Sequence, residues 1–183
     1  MRKLFKLLIV VLILGIICLV IYNSKDVILR KIYVTKYSEY VQKYSKKYDI
    51  DEYLIYAIIK AESNFDETAE SSKGAKGLMQ LMYTTAEEIA GKIDVQIDEE
   101  KLLTPEVNIN LGTKYISMLM QKYNCVELAL AAYNAGSGNV DSWIKDGILK
   151  DDGSNIEKVP YKETNNYIRK ILRDYEIYQE LYK

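Results

Sequence analysis

The chain has 183 residues, of which 49% are hydrophobic, and a formal net charge of −1, enough for one compact domain with an extension. Its 25 basic and 26 acidic residues are mixed along the sequence, so no broad basic surface is set against a phosphate backbone and no nucleic-acid partner is expected. Histidine is absent, which excludes Ser-His-Asp and Cys-His nucleophiles, His-ligated metals and imidazole acid-base chemistry, and leaves carboxylates, Tyr, Lys, Ser and backbone to carry any reaction.

The first segment, MRKLFKLLIVVLILGIICLVIYNSK, begins with Arg2, Lys3 and Lys6 and then runs uncharged from Leu7 to Tyr22. With Lys6 snorkelling, this approaches the roughly 20 residues that a helix needs to cross hydrocarbon. A cleaved signal peptide is the competing reading, but no small-residue cleavage site follows the run, and Ile17 before Cys18 does not fit lipoprotein processing. We therefore expect an uncleaved anchor over residues 1–24. Arg2, Lys3 and Lys6 on one side nearly balance Lys25, Arg30, Lys31 and Lys36 on the other, so charge alone leaves the orientation open. Of the two cysteines, Cys18 lies in this run and Cys125 reads as a buried small hydrophobe, and no internal disulfide is expected.

From 25 to 47, apolar and Tyr residues recur at three- and four-residue steps, which predicts an amphipathic connecting helix. Asp49 or Asp51 can cap a helix from about Glu52 to Ser63. A short helix follows from Thr84 or Thr85 to Ala90, and a long one starts near Pro105. VELALAAYNAG reads as a core helix ended by Gly136, with another turn of helix over Val140 to Ile144, and ETNNYIRKILRDYEIYQELY as a closing amphipathic helix. KIDVQID is the best strand-like run, and the class is all-α. The catalytic unit is expected over 48–183.

Glu62 falls at i+4 from Ile58 and i+8 from Leu54, on or beside the apolar stripe near a helix C-terminus. Burial and the partial negative charge of the helix end both disfavour a carboxylate there, so a raised pKa is expected and with it a general acid. Periodicity also allows Glu62 to lie at the stripe's edge and point to solvent, or to pair with Lys60 or a lysine downstream. Ser71, Ser72, Gly74, Gly77 and Gln80 then form a Gly- and Ser-punctuated loop that lets backbone approach a ligand closely. The same glycines could simply make turns, and Met79 and Met82 could simply pack.

ESNFDETAESSKGAKGLMQLM resembles the first signature of the soluble-lytic-transglycosylase-like domain. LLTPEVNINLGTKYI, ALAAYNAGSGNVDSW and VPYKETNNYIRKIL resemble its later blocks, in order, from about Glu62 to Leu172. The resemblance implies an all-helical, lysozyme-like domain of the goose type, here behind a single N-terminal transmembrane helix. It implies cleavage of bacterial peptidoglycan strands between N-acetylmuramic acid and N-acetylglucosamine without a cofactor or metal. Glu62 would be the single acid-base, leaving a 1,6-anhydromuramyl end rather than adding water. Ser71 would hydrogen-bond near the acid, Met79 and Gln80 line the saccharide groove, and Tyr133 and Asn134 close over the carboxyl, Tyr133 orienting Glu62 through its hydroxyl. Glu163 and Tyr167 would complete the cleft wall. Tyr83 and Ser137 depart from the family's usual Pro at those places, and Asp66 offers a second carboxylate near the acid. A water-using muramidase and a catalytically silent wall-binding or assembly module are the alternatives. Because the polymer is outside the cell, the domain is expected there, at the bacterial membrane. Most of the seventeen tyrosines read as helix packing with a wet hydroxyl, Tyr133 and Tyr167 excepted.

Overall fold

The computed structural model describes residues 2–183, apart from the side chains at positions 3, 4, 7, 8, 18 and 21–23. Helices follow one another in the order α1 (Arg2–Ile32), α2 (Ser38–Tyr48), α3 (Glu52–Glu62), α4 (Tyr83–Lys92), α5 (Glu99–Leu102), α6 (Pro105–Tyr123), α7 (Val126–Ala135), α8 (Ser137–Lys145) and α9 (Lys162–Tyr182). Among the described residues only isolated β-bridges, Glu70 with Lys76 and Lys76 with Leu81, occur outside the helical elements. The expected all-helical class holds.

α3 and α7 are the central helices. Ile55, Ala57, Ile58 and Ile59 of α3, and Leu128 to Ala132 of α7, are fully enclosed. α9 packs along both, and α6 spans the other side of α7 and meets α2. Asp51 caps α3, its Oδ1 accepting from the Tyr53 N–H at 2.8 Å, the stronger of the two expected caps. Asp49 instead ends α2 in the left-handed region at φ 54°. A smaller apolar cluster, including Leu81, Ile89, Leu102 and Leu111, joins α4 and α5 to α6.

One expectation about local structure fails. The connector is not one helix: α1 ends at Ile32, residues 33–37 are non-helical, and α2 starts after Tyr37 at φ 60°. The break is held from α9, whose Tyr182 and Tyr178 hydroxyls donate to the Tyr33 and Val34 carbonyls at 2.7 and 2.9 Å. These tertiary bonds replace the backbone partners that a continuing helix would supply. KIDVQID, the best strand-like run, begins on the last residue of α4, turns at Ile93 and Asp94 and then continues with no ladder, its Val95 and Ile97 packing on the smaller cluster. Alternation alone could not supply a neighbouring strand edge.

Among the described residues no helix is long and apolar enough to cross a membrane. The expected anchor falls in part outside them, since positions 4, 7, 8, 18, 21 and 22 of its run carry undescribed side chains. Of those described, Phe5, Leu12, Leu14 and Leu19 are more than half exposed.

Candidate active site

Glu62 is the last residue of α3. The chain turns there because Ser63 Oγ donates to the carbonyls of Ile59 and Leu78, at 3.2 and 2.8 Å, satisfying a helix-end acceptor and drawing in the following loop. Asn64 and Phe65 both take positive φ, 50° and 65°, costing on the order of 1–2 kcal/mol per residue. The turn is compensated by burial of the Phe65 ring, its centroid 6.4 Å from that of Tyr56. The ESNF stretch thus ends a helix, reverses the chain and leaves the acid at the rim of the core.

Residues 66–82 form a loop moulded on α6. Asn108, fully enclosed, accepts from the Met79 N–H at 2.7 Å and donates to the carbonyls of Lys76 and Leu102 at 3.0 and 2.9 Å. Gly77 has φ +75°, and a Cβ there would lie 2.4 Å from Asn108 Nδ2. One turn further along α6, a Cβ on Gly112 would lie 2.4 Å from Met79 Sδ. Asn108 and Gly112 of the NINLG stretch therefore seat the loop, one by bonding its backbone and the other by making room for Met79.

The loop, α7 and the start of α9 enclose a cavity of about 510 Å³ lined by Glu62, Ser71, Gln80, Tyr133, Asn134 and Glu163 together with Ser72, Lys73, Ala75, Met82, Ala135, Tyr161 and Thr164. Six of the eight expected site residues thus converge. Met79 does not line it: its side chain is buried against Gly112, correcting the groove-lining role, because a thioether at that position fills the gap above α6. Tyr167 lies behind the acid instead of on the wall, and its hydroxyl donates to Glu62 Oε1 at 2.5 Å. Tyr133 was expected to make that bond; its hydroxyl donates to the Met79 carbonyl at 2.8 Å. Gln80 bonds the Ala69 and Gly77 carbonyls through Nε2 at 2.9 and 3.0 Å, so it braces the loop while facing the cavity. Ser71 Oγ accepts from the Ala75 N–H at 3.0 Å, which leaves its hydroxyl hydrogen free to donate. Asn134 Oδ1 accepts from Thr164 Oγ1 at 2.7 Å, tying α7 to α9.

Burial pushes the Glu62 carboxyl up to about 7, against a lowering by the Tyr167 hydrogen bond and the Lys170 charge. Burial and the negative charge of Glu62 push both the Tyr133 and Tyr167 hydroxyls far up, so both remain donors. Glu62 does not pair with Lys60, whose Nζ binds Asp174 at 2.9 Å. Nor is Asp66 a second acid at the cavity. It is exposed, absent from the wall, and its Oδ1 is held by the Thr68 hydroxyl and N–H at 2.8 and 2.9 Å, keeping its carboxyl below the usual range. Sequence reasoning missed Tyr161, Thr164 and Lys73. Tyr161 is half exposed, with its ring edge-on to Trp143 at 5.0 Å; its place after the VP pair was the one available signal. Among the described residues no group of three or more His, Cys, Asp or Glu side chains is placed to share a metal ion.

A second cavity, about 480 Å³, adjoins the first across the Tyr115–Tyr133 ring pair, whose centroids are 5.0 Å apart. Thr85, Glu88, Lys92, Lys122 and Ser137 supply its polar wall. Ala135 lines the first cavity and its chain neighbour Gly136 the second.

Residues 39–153 match the family model described as the transglycosylase SLT domain. The soluble lytic murein transglycosylase of Salmonella typhimurium is 34% identical over 140 residues, 74% of this chain and 22% of that protein. The membrane-bound lytic murein transglycosylase C of Edwardsiella ictaluri is 38% identical over 121 residues, 57% of this chain and 32% of that protein. Among solved structures, an inactive mutant of the lytic transglycosylase Slt from Pseudomonas aeruginosa superposes with a TM-score of 0.74 at 34% identity, covering 84% of this chain and 25% of that one. The chain thus spans between about a fifth and a third of the length of these relatives.

Proposed function

The chain belongs to the transglycosylase SLT domain family, and from that premise we propose that it is a peptidoglycan lytic transglycosylase with Glu62 as its single acid-base. The observation that carries this reading is a partly buried carboxyl, raised to about 7, at the wall of a cavity of about 510 Å³. Near neutral pH such an acid is present in both protonation states, as a group that first gives and then takes a proton must be. Glu62 protonates the glycosidic oxygen between N-acetylmuramic acid and N-acetylglucosamine, and the bond to the anomeric carbon breaks. The resulting carboxylate takes the proton from the muramyl 6-hydroxyl, whose oxygen closes on that carbon to give the 1,6-anhydro end. The proton count on Glu62 is restored and no water is consumed. Tyr167 holds Oε1, which leaves Oε2 for the transfer. Ser71 and Asn134 bind the sugar at the reacting bond, Gln80 and Glu163 flank it, and Tyr133 keeps the groove wall in register through the Met79 carbonyl. The second cavity takes further sugars of the same strand.

A water-using muramidase remains the second reading, because Glu163 gives the cavity wall another carboxylate and hydrolytic glycosidases work with two. Digestion of purified peptidoglycan by the whole chain in detergent, followed by mass spectrometry, separates the two. Anhydro ends are lighter than hydrolysed ends by one water, so hydrolysed ends as the main product would reject the proposed reaction. Absence of any cleavage would favour a wall-binding module.

The uncharged run from Leu7 to Tyr22 anchors this domain to a membrane, with residues 1–24 as the anchor, 25–47 as the connector and 48–183 as the enzyme on the extracytoplasmic side. Support comes from the run itself, from exposed aliphatic side chains along a 31-residue helix, roughly 46 Å long at 1.5 Å per residue, and from the membrane-bound relative. Sedimentation with vesicles that resists carbonate extraction is the expected result; release by carbonate would remove the anchor.

A further inference from the structure

A second carboxylate lies in the same helix interface as Glu62, and the proposed reaction does not use it. Asp174 of α9 has no exposed side-chain surface. Its Oδ2 accepts from Lys60 Nζ at 2.9 Å, and its Oδ1 from the Tyr33 hydroxyl at 3.1 Å and from Arg173 Nε and Nη2 at 3.1 and 2.8 Å. The Lys60 ammonium also lies 4.4 Å from the centroid of the Tyr33 ring. These partners come from three parts of the chain: the last turn of α3, α9 itself, and the non-helical segment after α1. Tyr33 and Asp174 both lie outside the residues matched by the family model.

The placement relative to the acid is what matters. Lys60 precedes Glu62 by two residues on α3, and Asp174 follows Tyr167 by two turns on the same face of α9. The Lys60–Asp174 and Glu62–Tyr167 contacts both join the last turn of α3 to α9. A slip of one residue along α9 is 1.5 Å, enough to open the 2.5 Å Tyr167–Glu62 bond. Apolar packing between helices tolerates small slips; a buried, multiply bonded ion pair does not, because moving it leaves a desolvated charge without its partner. The segment that supplies Tyr33 is itself fastened to the end of α9. Arg30 bonds the Leu181 carbonyl and lies 4.6 Å from the Tyr182 ring centroid, and the Tyr182 and Tyr178 hydroxyls hold the Tyr33 and Val34 carbonyls.

Resting on the reading of Glu62 as the acid, we infer that Asp174 is a positioning residue. It locks α3 to α9 through Lys60 so that Tyr167 meets Glu62, and through Tyr33 it makes the segment leaving α1 part of that lock. The N-terminal helix is then joined to the acid's support by a defined contact, not by a slack tether.

The test uses the full-length chain in detergent, with Tyr33→Phe, Asp174→Asn and the double change Lys60→Met with Asp174→Leu. The double change removes both charges and keeps the interface filled, so it folds even where Asp174→Asn does not. The expected result is a fall in kcat of at least about tenfold in the double variant, a smaller fall in Tyr33→Phe, and KM within about twofold of the unmodified chain. The pH limb governed by Glu62 moves upward, because the groups facing it are Tyr167 and Lys170, which favour the carboxylate, and the Tyr133 hydroxyl, and a loosened Tyr167 stabilises the carboxylate less. Carbon-detected NMR titration of the Glu62 carboxyl reads the same shift without needing activity, so it decides the matter even if the unmodified chain yields no anhydro ends and the proposed function falls. Variants that melt earlier yet keep the parent kcat and the parent Glu62 titration would overturn the inference, leaving Asp174 a purely structural residue.

Discussion

Two carboxylates of the α3–α9 interface, Glu62 partly buried at the cavity wall and Asp174 fully enclosed, titrate in opposite directions. Burial works to raise each. At Glu62 the opposing contributions are one neutral hydroxyl and the more distant charge of Lys170, whose Nζ is engaged by the Ala61 carbonyl at 3.1 Å. The carboxyl stays up at about 7. At Asp174 burial is outweighed by hydrogen bonds from Lys60 and Arg173, and the carboxyl ends below its usual range. Burial alone therefore does not make an acid. What separates the raised carboxyl from the lowered one is where the cations are placed, with Lys60 turned to Asp174 and away from the residue two places further on.

The strongest way to break the comparison is Glu62→Gln. It is expected to lower anhydro-product formation by roughly a thousandfold or more while leaving the circular dichroism spectrum unchanged. Between pH 4.5 and about 7 the folded protein holds a proton at Glu62 that the unfolded chain has released, so this residue lowers stability as pH rises through that window. The variant lacks that loss and should be the more stable protein above pH 7, by on the order of 3 kcal/mol; denaturant titrations on either side of the window measure it. Asp174→Asn should act in the opposite sense, costing about 3 kcal/mol by leaving Lys60 without its counter-charge. Asp174 contributes stability that is present above its unfolded value of 3.8 and is lost as pH falls through its lower folded value. The difference between variant and parent should therefore shrink in acid, and a difference independent of pH would sink the assignment of charge to Asp174.

Tyr167→Phe sharpens the contrast by removing the one hydroxyl on Glu62. The carboxylate then loses a stabilising donor, so the pH limb should rise above about 7 and kcat fall by about tenfold; a limb that stays put would show that Tyr167 only packs. The smallest expected effect on activity is at the far end of α3, where Asp51→Ala removes the cap and the exposed hydrogen bonds from Tyr175 and Gln179 of α9; it should cost about 2 kcal/mol with no change in the pH profile, since neither carboxylate loses a partner.

Much of this architecture was legible because helical period is a local property. Leu54 and Ile58 of the expected stripe are buried in α3, Asp51 rather than Asp49 proves to be its cap, and the carboxyl of Glu62 is raised as its place near the helix end suggested. Gly77 and Gln80 were among the signals of a tight loop, and both have work there that geometry explains. Met79, by contrast, could not be told from a groove residue, because its burial depends on the missing Cβ of Gly112 on another helix. The exchange of roles between Tyr133 and Tyr167 has the same origin: each sits on a face turned to the acid, and only the depth of α7 and the register of α9 decide which hydroxyl reaches it.

The sequence by itself determined which residues lie on which face of each helix, where α3 stops, and that a lone acid stands beside a Ser- and Gly-rich loop, because capping, periodicity and turn chemistry act over a few residues. Only the tertiary structure decided that Tyr167 meets Glu62, that Lys60 turns to Asp174, and that Tyr33 breaks the connector to join them. Those pairings link positions separated by 105, 114 and 141 residues, and their geometry is set by how helices pack and slide against one another, a quantity that no local pattern encodes.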